Sequence, residues 1–427
     1  MTTQSSPLTI SVFQASLLTV LLGCIIGPLW LIGSLQESVF FTMVGREYYN
    51  AANSLVFVAL IPIMFAYMAL LNVYNRYHIL AIGLVLFSVL FGVCSFYLAD
   101  PIIGISNTVA DPARIFAWIY FFLARTFATV LVTVYWSFFS SVVDISLSKR
   151  IYPIVAFFAQ LSSLTGAHLA KYVTVLGFPG LTCIGACWLF VGFLLLVLFI
   201  QTLSKKQYHY IASSKKAVSQ TGLLEGARLL FSSWYLIGIL GVSVLYQICI
   251  AVMDYQWLTL VSIKTSTPEA MSVLKGVYGE RITIFIMLFS LFGTTTLLHT
   301  LGVRFCLMLY PIVTLGAIVV SLNIPDLAMM MYMLILVKGL SIALSNPVKE
   351  VLYVPANDEV RFKVKGWIDM FGYRGAYAFG STIISFFPLE FGPLLRYGAW
   401  LSFAVIAIWL LAAYYVGTHF NKQTSVN

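Results

Sequence analysis

The sequence is poor in charged residues. Of its 427 residues, only 9% are Asp, Glu, Lys or Arg, whereas 61% are hydrophobic, and its mean hydropathy is +0.96. Soluble globular domains are about a quarter charged and about half apolar, so this composition excludes a soluble cytosolic enzyme. A disordered chain is excluded as well, because disorder requires few apolar residues and many charges. We therefore predict an all-α polytopic membrane protein.

Signals for catalysis, metal binding and export are also missing. The sequence contains no G-x-S-x-G, no H-E-x-x-H and no glycine-rich phosphate loop. Its six cysteines lie in apolar runs without zinc or redox spacing, so we expect them to pack as small hydrophobic residues. The segment Met1–Thr9 has no basic side chain, which argues against a cleaved signal peptide. We predict neither enzyme activity nor a metal or cofactor.

Apolar runs of about 20 residues, the length that crosses a bilayer, recur along the whole chain. The longest polar stretch, Thr202–Arg228, separates six such runs from six more. The predicted spans are Ile10–Phe41, Ser54–Val73, Tyr77–Leu98, Ile115–Ser141, Tyr152–Val173, Leu181–Gln201, Trp234–Leu260, Arg281–Leu298, Val303–Leu322, Leu327–Asn346, Trp367–Phe387 and Ala399–Val416. We predict two six-helix bundles, 1–201 and 234–427, joined by a basic cytoplasmic linker, 202–233.

Basic residues are distributed unevenly between the two sets of loops. With both termini inside, the inner loops hold Arg76, Lys149, Arg150, Lys205, Lys206, Lys215, Lys216, Arg228, Arg304, Lys349, Arg361, Lys363, Lys365 and Lys422. The outer loops hold chiefly Arg46, Arg114, Lys264, Lys275, Arg281 and Arg396. Cationic loops stay on the cytoplasmic side, so the pattern predicts cytoplasmic termini and explains most of the net charge of +9. It does not resemble the aromatic-lined basic patch of a nucleic-acid-binding domain, and we predict no such partner.

The few charges inside predicted spans indicate an internal duplication, as is common in transporters. The first span of each half carries an acid, Glu37 or Asp254, and the fourth span of each half carries a base, Arg125 or Lys338. A charge at bilayer depth is costly and normally faces a watery cavity or a partner. Acids and bases in equivalent spans therefore predict a cavity with charged walls.

In the alternative interpretation, these charges pair with one another and lock helices together; the candidates are Glu37, Asp254, Asp369, Arg125, Lys338 and Arg374. Arg125 and Lys338 lie nearer mid-span, which favours a cavity role for them. Lys171 and Asp369 lie near span ends, where long side chains such as lysine reach the interface. For His168, inside the fifth span, we favour a satisfied polar contact over a proton relay.

Several aromatic residues have the right chemistry to stack on a planar base: Trp136, Tyr135, Tyr246, Trp257 and Tyr377. Aromatic residues are abundant in membrane proteins generally, so simple packing is the alternative for each one.

One stretch of the second half matches a known signature. Asn346–Pro355 reads N-P-V-K-E-V-L-Y-V-P, and Lys363–Gly366 reads K-V-K-G, followed by Asp369 and Arg374. This resembles the signature of the nucleotide transporter (ADP/ATP translocase) family of plastids and obligate intracellular bacteria. That family has N-P-x-x-E-x-x-Y-x-P, then K-x-K-G, then an aspartate and an arginine.

Weaker similarities extend over most of the chain. Lys149–Pro153, K-R-I-Y-P, follows Trp136 as A-K-R-F-Y-P follows W-x-F in the family. The order Tyr246, Asp254, Trp257 is similar to the family's tyrosine, acid and tryptophan. The resemblance implies twelve spans in a major-facilitator-like fold.

The resemblance also implies a function: exchange of ATP and ADP-type nucleotides by alternating access, with a cationic central cavity holding the phosphates. The implied substrate-binding residues are Arg125, Lys338 and Arg374 for phosphate, Glu37 and Asp254 beside them, and Tyr246, Trp136 and Tyr377 for the base. It implies a bacterial inner membrane or a plastid envelope, and the lack of a transit peptide favours the former. We expect a monomer surrounded by membrane lipids, with a nucleotide as its small-molecule partner.

The sequence departs from the family pattern at charged positions. The family's R-S-L-K-D reads G-S-L-Q-E at Gly33–Glu37, and its R-F-G-K-S-G-G reads R-G-A-Y-A-F-G at Arg374–Gly380. The missing cations favour a rival hypothesis, a proton-coupled carrier of a less charged metabolite that uses Glu37 and Asp254 as its protonatable groups. A membrane-embedded enzyme or sensor is a third hypothesis.

Overall fold

The computed structural model describes residues 11–143, 145–204, 207, 228–353 and 364–424, with positions 72, 145–150, 294–295, 298–299, 370 and 421–424 described through their backbone only. Most of the predicted linker, 202–233, lies outside the described residues. So do these residues singled out above: Lys205, Lys206, Lys215, Lys216, Val354, Pro355, Arg361 and Lys363, together with the side chains of Lys149, Arg150 and Lys422.

The described residues form helices and no strand. The α-helices are numbered as follows: α1 (Val12–Met43), α2 (Tyr49–Val73), α3 (Arg76–Ala99), α4 (Ile115–Val142), α5 (Ile145–Ala170), α6 (Val173–Gln201), α7 (Trp234–Lys264), α8 (Pro268–Phe292), α9 (Thr294–Asn323), α10 (Leu327–Leu340), α11 (Asn346–Leu352), α12 (Tyr373–Ile384) and α13 (Phe391–Thr424). Helices are the expected result for apolar segments in lipid, where every backbone group must find its partner within the protein.

Two interruptions divide the helices of the second half. The π-helical segment Ser341–Ser345 joins α10 to α11, and a second one, Ile368–Gly372, leads into α12. π-Helical turns are rare and occur frequently at functional sites. Within the described part of the signature, Asn346 directly follows the first π-helical segment and Asp369 lies in the second.

Ten of the described helical stretches are long and apolar enough to cross a membrane. α8 is not among them, because Glu269, Lys275, Glu280 and Arg281 interrupt its apolar character. The chain is a multi-pass membrane protein with an all-helical fold, as its composition predicts.

The predicted eighth span was wrong at its start. We placed it at Arg281, whereas α8 begins at Pro268, so Lys275 and Arg281 lie on a helix and not in an outer loop. Lys349 was assigned to an inner loop, but it lies on α11 and is 3% exposed. In each case a charge near the end of an apolar run was taken for a loop residue.

The chain forms two compact units. Unit 1 contains the described residues of Met1–Arg46, Val58–Ser219 and Thr267–Glu280, and unit 2 those of Glu47–Phe57, Gln220–Ser266 and Arg281–Asn427. Each unit thus includes a short segment from the other half of the sequence. The segment in unit 1 is the first part of α8, and the segment in unit 2 is the first part of α2.

One helix is central to each unit. In unit 1, α1 packs against α4, α5 and α6, and in unit 2, α7 packs against α10, α12 and α13. α1 and α5 are in close contact, since a Cβ added at Gly166 would overlap the carbonyl oxygen of Gly27. Small residues allow this approach in membrane helices. The first-span acids of the two halves, Glu37 and Asp254, lie on these two central helices.

Candidate functional site

In unit 1 the first-span acid meets the fourth-span base. Glu37 on α1 has a side chain that is 4% exposed, and its Oε1 accepts a hydrogen bond from Arg125 Nη2 on α4 at 3.1 Å. The Arg125 guanidinium also lies 5.2 Å from the centre of the Phe121 ring. A buried carboxylate is stable only when paired and hydrogen-bonded, which this arginine provides.

A second cation, Lys275, approaches the same carboxylate. Lys275 Nζ lies 3.5 Å from Glu37 Oε1, and its side chain is 12% exposed. The neighbouring Gln36 Nε2 donates to that oxygen as well, at 3.3 Å. We call Glu37, Arg125 and Lys275 the unit 1 cluster. The three donors converge on Oε1, whereas Glu37 Oε2 is buried and accepts no hydrogen bond from the described residues.

The position of Lys275 follows from how the start of α8 packs in unit 1. Ser272 Oγ donates to Ser38 Oγ on α1 at 2.8 Å, and both serines are buried. On the other side, Gly276 and Gly279 leave no room for a Cβ beside Ala167 of α5. Lys275 is therefore held next to α1, one residue from Gly276. Sequence reasoning missed it because it lies before the apolar part of its helix.

Unit 2 contains the equivalent pair with a different third member. Lys338 Nζ on α10 donates to Asp254 Oδ1 on α7 at 2.6 Å. Tyr377 on α12 donates its hydroxyl to the other oxygen, Oδ2, at 3.2 Å. We call Asp254, Lys338 and Tyr377 the unit 2 cluster. Its acid has a hydrogen bond on both oxygens, and its two charged groups balance.

A second buried lysine of unit 2 lies against tyrosine rings. Lys349 Nζ is 4.7 Å from the centre of the Tyr246 ring and 4.9 Å from that of Tyr373. It also donates to the Tyr373 hydroxyl at 3.2 Å. An ammonium over a tyrosine face is stabilised by the ring quadrupole, most strongly when desolvated. We call Lys349, Tyr246 and Tyr373 the tyrosine cage.

The cage determines what Tyr246 can do. Its ring is 3% exposed and packs against Tyr310 and Trp409 as well as Lys349. The structure therefore places Tyr246 in the core of unit 2, in contact with a lysine that the sequence pattern did not single out as a site residue.

Trp136 and Arg374 are the remaining candidates from the sequence. Trp136 on α4 is half-buried and packs against Tyr152 and Phe139. Arg374 on α12 is also half-buried and lies one helical turn before Tyr377, so these two residues share a face of the helix.

His168 and Lys171 both contact an acid from α8. Glu280 Oε1 lies 2.5 Å from His168 Nδ1 and 2.7 Å from Lys171 Nζ. This acid was not considered from the sequence, where Lys171 was expected to reach the interface. Within the part of the chain that the structure describes, no group of three or more His, Cys, Asp or Glu residues is arranged to hold a metal ion.

Comparison with known proteins identifies the family. The sequence profile of the family described as "TLC ATP/ADP transporter" matches residues 16–420, almost the whole chain. The protein belongs to this TLC ATP/ADP transporter family. The resemblance drawn from the N-P-x-x-E signature is thereby confirmed.

The curated relatives are plant proteins at low identity. "ADP,ATP carrier protein 2, chloroplastic" of Arabidopsis thaliana is 23% identical over 340 residues, which cover 72% of this chain and 55% of that protein. "Plastidic ATP/ADP-transporter" of Solanum tuberosum is 23% identical over 330 residues, covering 69% of this chain and 52% of that protein. This TLC family member thus spans about half the length of the curated relatives that it matches.

Solved structures show the fold. A bacterial homologue of the iron transporter ferroportin in an inward-facing state has a TM-score of 0.70 at 11% identity, covering 96% of this chain and 100% of the other. The nucleoside transporter NupG has a TM-score of 0.65 at 13% identity, covering 94% and 98%. The D-xylose-proton symporter has a TM-score of 0.64 at 12% identity, covering 95% and 97%. The TLC chain therefore has the predicted major-facilitator-like fold.

Proposed function

We propose that this TLC family member exchanges nucleotides of the ATP and ADP type across a membrane by alternating access. The names of its relatives supply the substrate class. The observation that carries the proposal is the pair of clusters in which a buried acid holds fixed cations: Arg125 and Lys275 in unit 1, Lys338 in unit 2. A triphosphate is a multiply charged anion that crosses a low-dielectric slab only if fixed cations replace its water.

Each cation has a distinct part in this proposal. Arg125 and Arg374 can grip phosphate oxygens with two parallel hydrogen bonds, and Lys338 acts as a point charge. Glu37 and Asp254 hold the basic side chains in place while no substrate is bound. A cationic cavity formed in this way is costly to reorient when empty, so transport in one direction requires a substrate for the return.

The base of the nucleotide needs an aromatic surface. Tyr377 donates to Asp254 and is half-buried, so we propose that it stacks on the base close to the phosphates. Trp136 remains a second candidate for this stacking. Tyr246 has Lys349 on its ring face and is assigned to holding that lysine.

The proposal is tested by uptake of labelled ATP into proteoliposomes, with and without internal ADP. We expect uptake that depends on internal ADP. The variant Arg125→Gln with Lys338→Gln should lose it, because two of the proposed phosphate-binding cations are removed. Lys264→Gln, which removes an exposed lysine at the end of α7, is the matched control and should transport normally. Normal exchange by the double variant, or no uptake by the folded wild type, would contradict the proposal.

A second candidate function rests on one atom. Glu37 Oε2 is buried and accepts no hydrogen bond from the described residues, so a proton on Glu37 would not displace a donor there. This favours a proton-coupled carrier with Glu37 as a protonatable group. Asp254, the second group of that hypothesis, accepts a hydrogen bond on each oxygen and does not share this feature. Such a carrier would accumulate substrate under an inward proton gradient without any internal counter-substrate. Uptake that does not depend on the pH gradient would exclude a proton-coupled carrier.

The cellular setting is also a proposal. The excess of basic residues in one set of loops supports cytoplasmic termini, and we propose a bacterial inner membrane as the location. We further propose that the protein acts as a monomer and transports without chemical conversion of its substrate.

A further inference from the structure

We propose that Lys275 is a phosphate ligand, and that Glu37 occupies the position of a phosphate oxygen until substrate arrives. This inference rests on the proposed function for its substrate, an anion with two or more charges. It adds a residue on α8 to the site, and it gives the first-span acid a part other than proton transfer.

The geometry of the unit 1 cluster is that of an oxyanion site. Arg125 Nη2, Lys275 Nζ and Gln36 Nε2 converge on one oxygen atom, Glu37 Oε1, at 3.1, 3.5 and 3.3 Å. Donors that converge on one carboxylate oxygen also converge on a phosphate oxygen, which has similar size and charge. Strong charge-assisted hydrogen bonds are about 2.7–2.9 Å long. All three distances are longer, so the carboxylate is held loosely.

The unit 2 cluster shows the contrast. Lys338 lies 2.6 Å from Asp254, and the second carboxylate oxygen is engaged by Tyr377. Lys338 and Asp254 therefore form a tight pair of one cation and one anion. In unit 1 two cations share a single acid, so the three side chains together carry one more positive than negative charge.

The packing of α8 supports a fixed position for Lys275. The Ser272–Ser38 hydrogen bond and the close approach of Gly276 to Ala167 hold the backbone on both sides of it. The ammonium also lies 5.5 Å from the centre of the Tyr278 ring. A cation held in this way loses little freedom when it binds an anion, which favours affinity.

The rival interpretation is that Lys275 only fastens α8 to α1 through Glu37. The two interpretations differ in what Glu37 does to an anion. If Glu37 holds the place of phosphate, it competes with the anion, and Glu37→Gln should tighten anion binding. If Glu37 and Lys275 form a fastening, Glu37→Gln and Lys275→Gln should have the same effect.

The test measures binding of inorganic tripolyphosphate to the purified protein by the shift in its melting temperature. We expect Lys275→Gln to weaken the apparent Kd about 10- to 100-fold, the usual effect of losing one hydrogen bond to a charged group. Lys275→Arg should bind nearly as well as wild type, Glu37→Gln should bind more tightly, and Lys264→Gln should not change. The same series, with labelled ATP in proteoliposomes, should show a raised KM for Lys275→Gln.

The outcomes separate this inference from the proposed function. Equal tripolyphosphate binding by wild type and Lys275→Gln, or no binding by wild type, overturns the inference. Weaker binding by Glu37→Gln overturns the place-holding part and supports the fastening. If tripolyphosphate binding depends on Lys275 while the wild type takes up no nucleotide, the phosphate site stands and the proposed function falls.

Discussion

The two units solve the same electrostatic problem with different numbers of charges. In each, an acid on the central helix pairs with a base on a later helix, and the two residues are 88 positions apart in unit 1 and 84 in unit 2. Unit 2 completes its pair with the neutral hydroxyl of Tyr377, whereas unit 1 uses a second cation, Lys275. The acid–base pair is therefore common to both units, as the predicted duplication implies, and the difference lies in one side chain contributed by another helix.

The second cations of the two units also differ in what stabilises them. Lys275 lies next to a carboxylate, and Lys349 lies between tyrosine rings. A lysine paired with a carboxylate can exchange that partner for an anionic substrate, whereas packed tyrosine rings cannot easily move away from a lysine. We therefore expect Lys275 to change its partner when an anion binds and Lys349 to keep its tyrosines.

The largest expected effect is a difference in stability between the variants that lose Lys338 or Arg125. Lys338→Met leaves the buried Asp254 carboxylate without its cation, whereas Arg125→Met leaves Glu37 with Lys275 at 3.5 Å. Removing one partner of a buried pair costs about 3–5 kcal/mol, and the 25% exposure of Lys338 puts this case at the low end. We expect Arg125→Met to lower the melting temperature in detergent by clearly less than Lys338→Met. Equal losses would show that Lys275 does not support Glu37.

A somewhat smaller effect comes from removing each pair completely. Asp254→Asn with Lys338→Met removes both charges of unit 2 and should restore most of the stability lost in Lys338→Met, since neutral replacements of buried pairs are often well tolerated. Glu37→Gln with Arg125→Met should recover less, because Lys275 is left without its acid. Adding Lys275→Met to that variant supplies the control and should restore most of the lost stability. The measurement is thermal unfolding of the two single, two double and one triple variant. Equal recovery of melting temperature by the two double variants would contradict the difference between the units.

The smallest effect concerns the neutral donors. Tyr377→Phe removes the hydrogen bond to Asp254 Oδ2 and should cost about 1.5 kcal/mol, the lower limit for a bond to a charged group. Gln36→Leu removes one of three donors on Glu37 Oε1 and also a buried amide oxygen that accepts no hydrogen bond from the described residues. Its melting temperature should stay close to that of wild type. A larger loss for Gln36→Leu than for Tyr377→Phe would show that the amide, and not Lys275, completes the unit 1 cluster.

Most of the spans and four of the charged residues in the clusters could be predicted because one physical constraint governs both. Lipid requires long apolar helices, and it makes every charge inside them conspicuous, so Glu37, Arg125, Asp254 and Lys338 were found from the sequence. That they contact each other in two separate pairs required the structure. Cavity and pair were offered as alternatives, and the pairing is now seen in both units.

The missed residues share a different cause. Lys275 and Lys349 lie at the ends of apolar runs, where a basic residue is usually a loop residue on the cytoplasmic side or an exposed one outside. Their burial depends on tertiary partners, Glu37 on α1 for one and Tyr246 and Tyr373 for the other, which hydropathy does not report. The π-helical segments were missed for a similar reason, since no residue type specifies them.

The π-helical segment Ser341–Ser345 sets the angle at which the rest of its helix faces the protein. Lys349 follows Lys338 by eleven positions, and in an uninterrupted α-helix such residues lie within about 20° of one line along the surface. The π turn contains one residue more than an α turn, which rotates everything after it by about 100°. Lys349 consequently faces the two tyrosines and not the line of Lys338. Deleting one residue from this segment would rotate the whole N-P-x-x-E stretch about the helix axis. The π-helical segment therefore fixes which side of the helix faces the tyrosines.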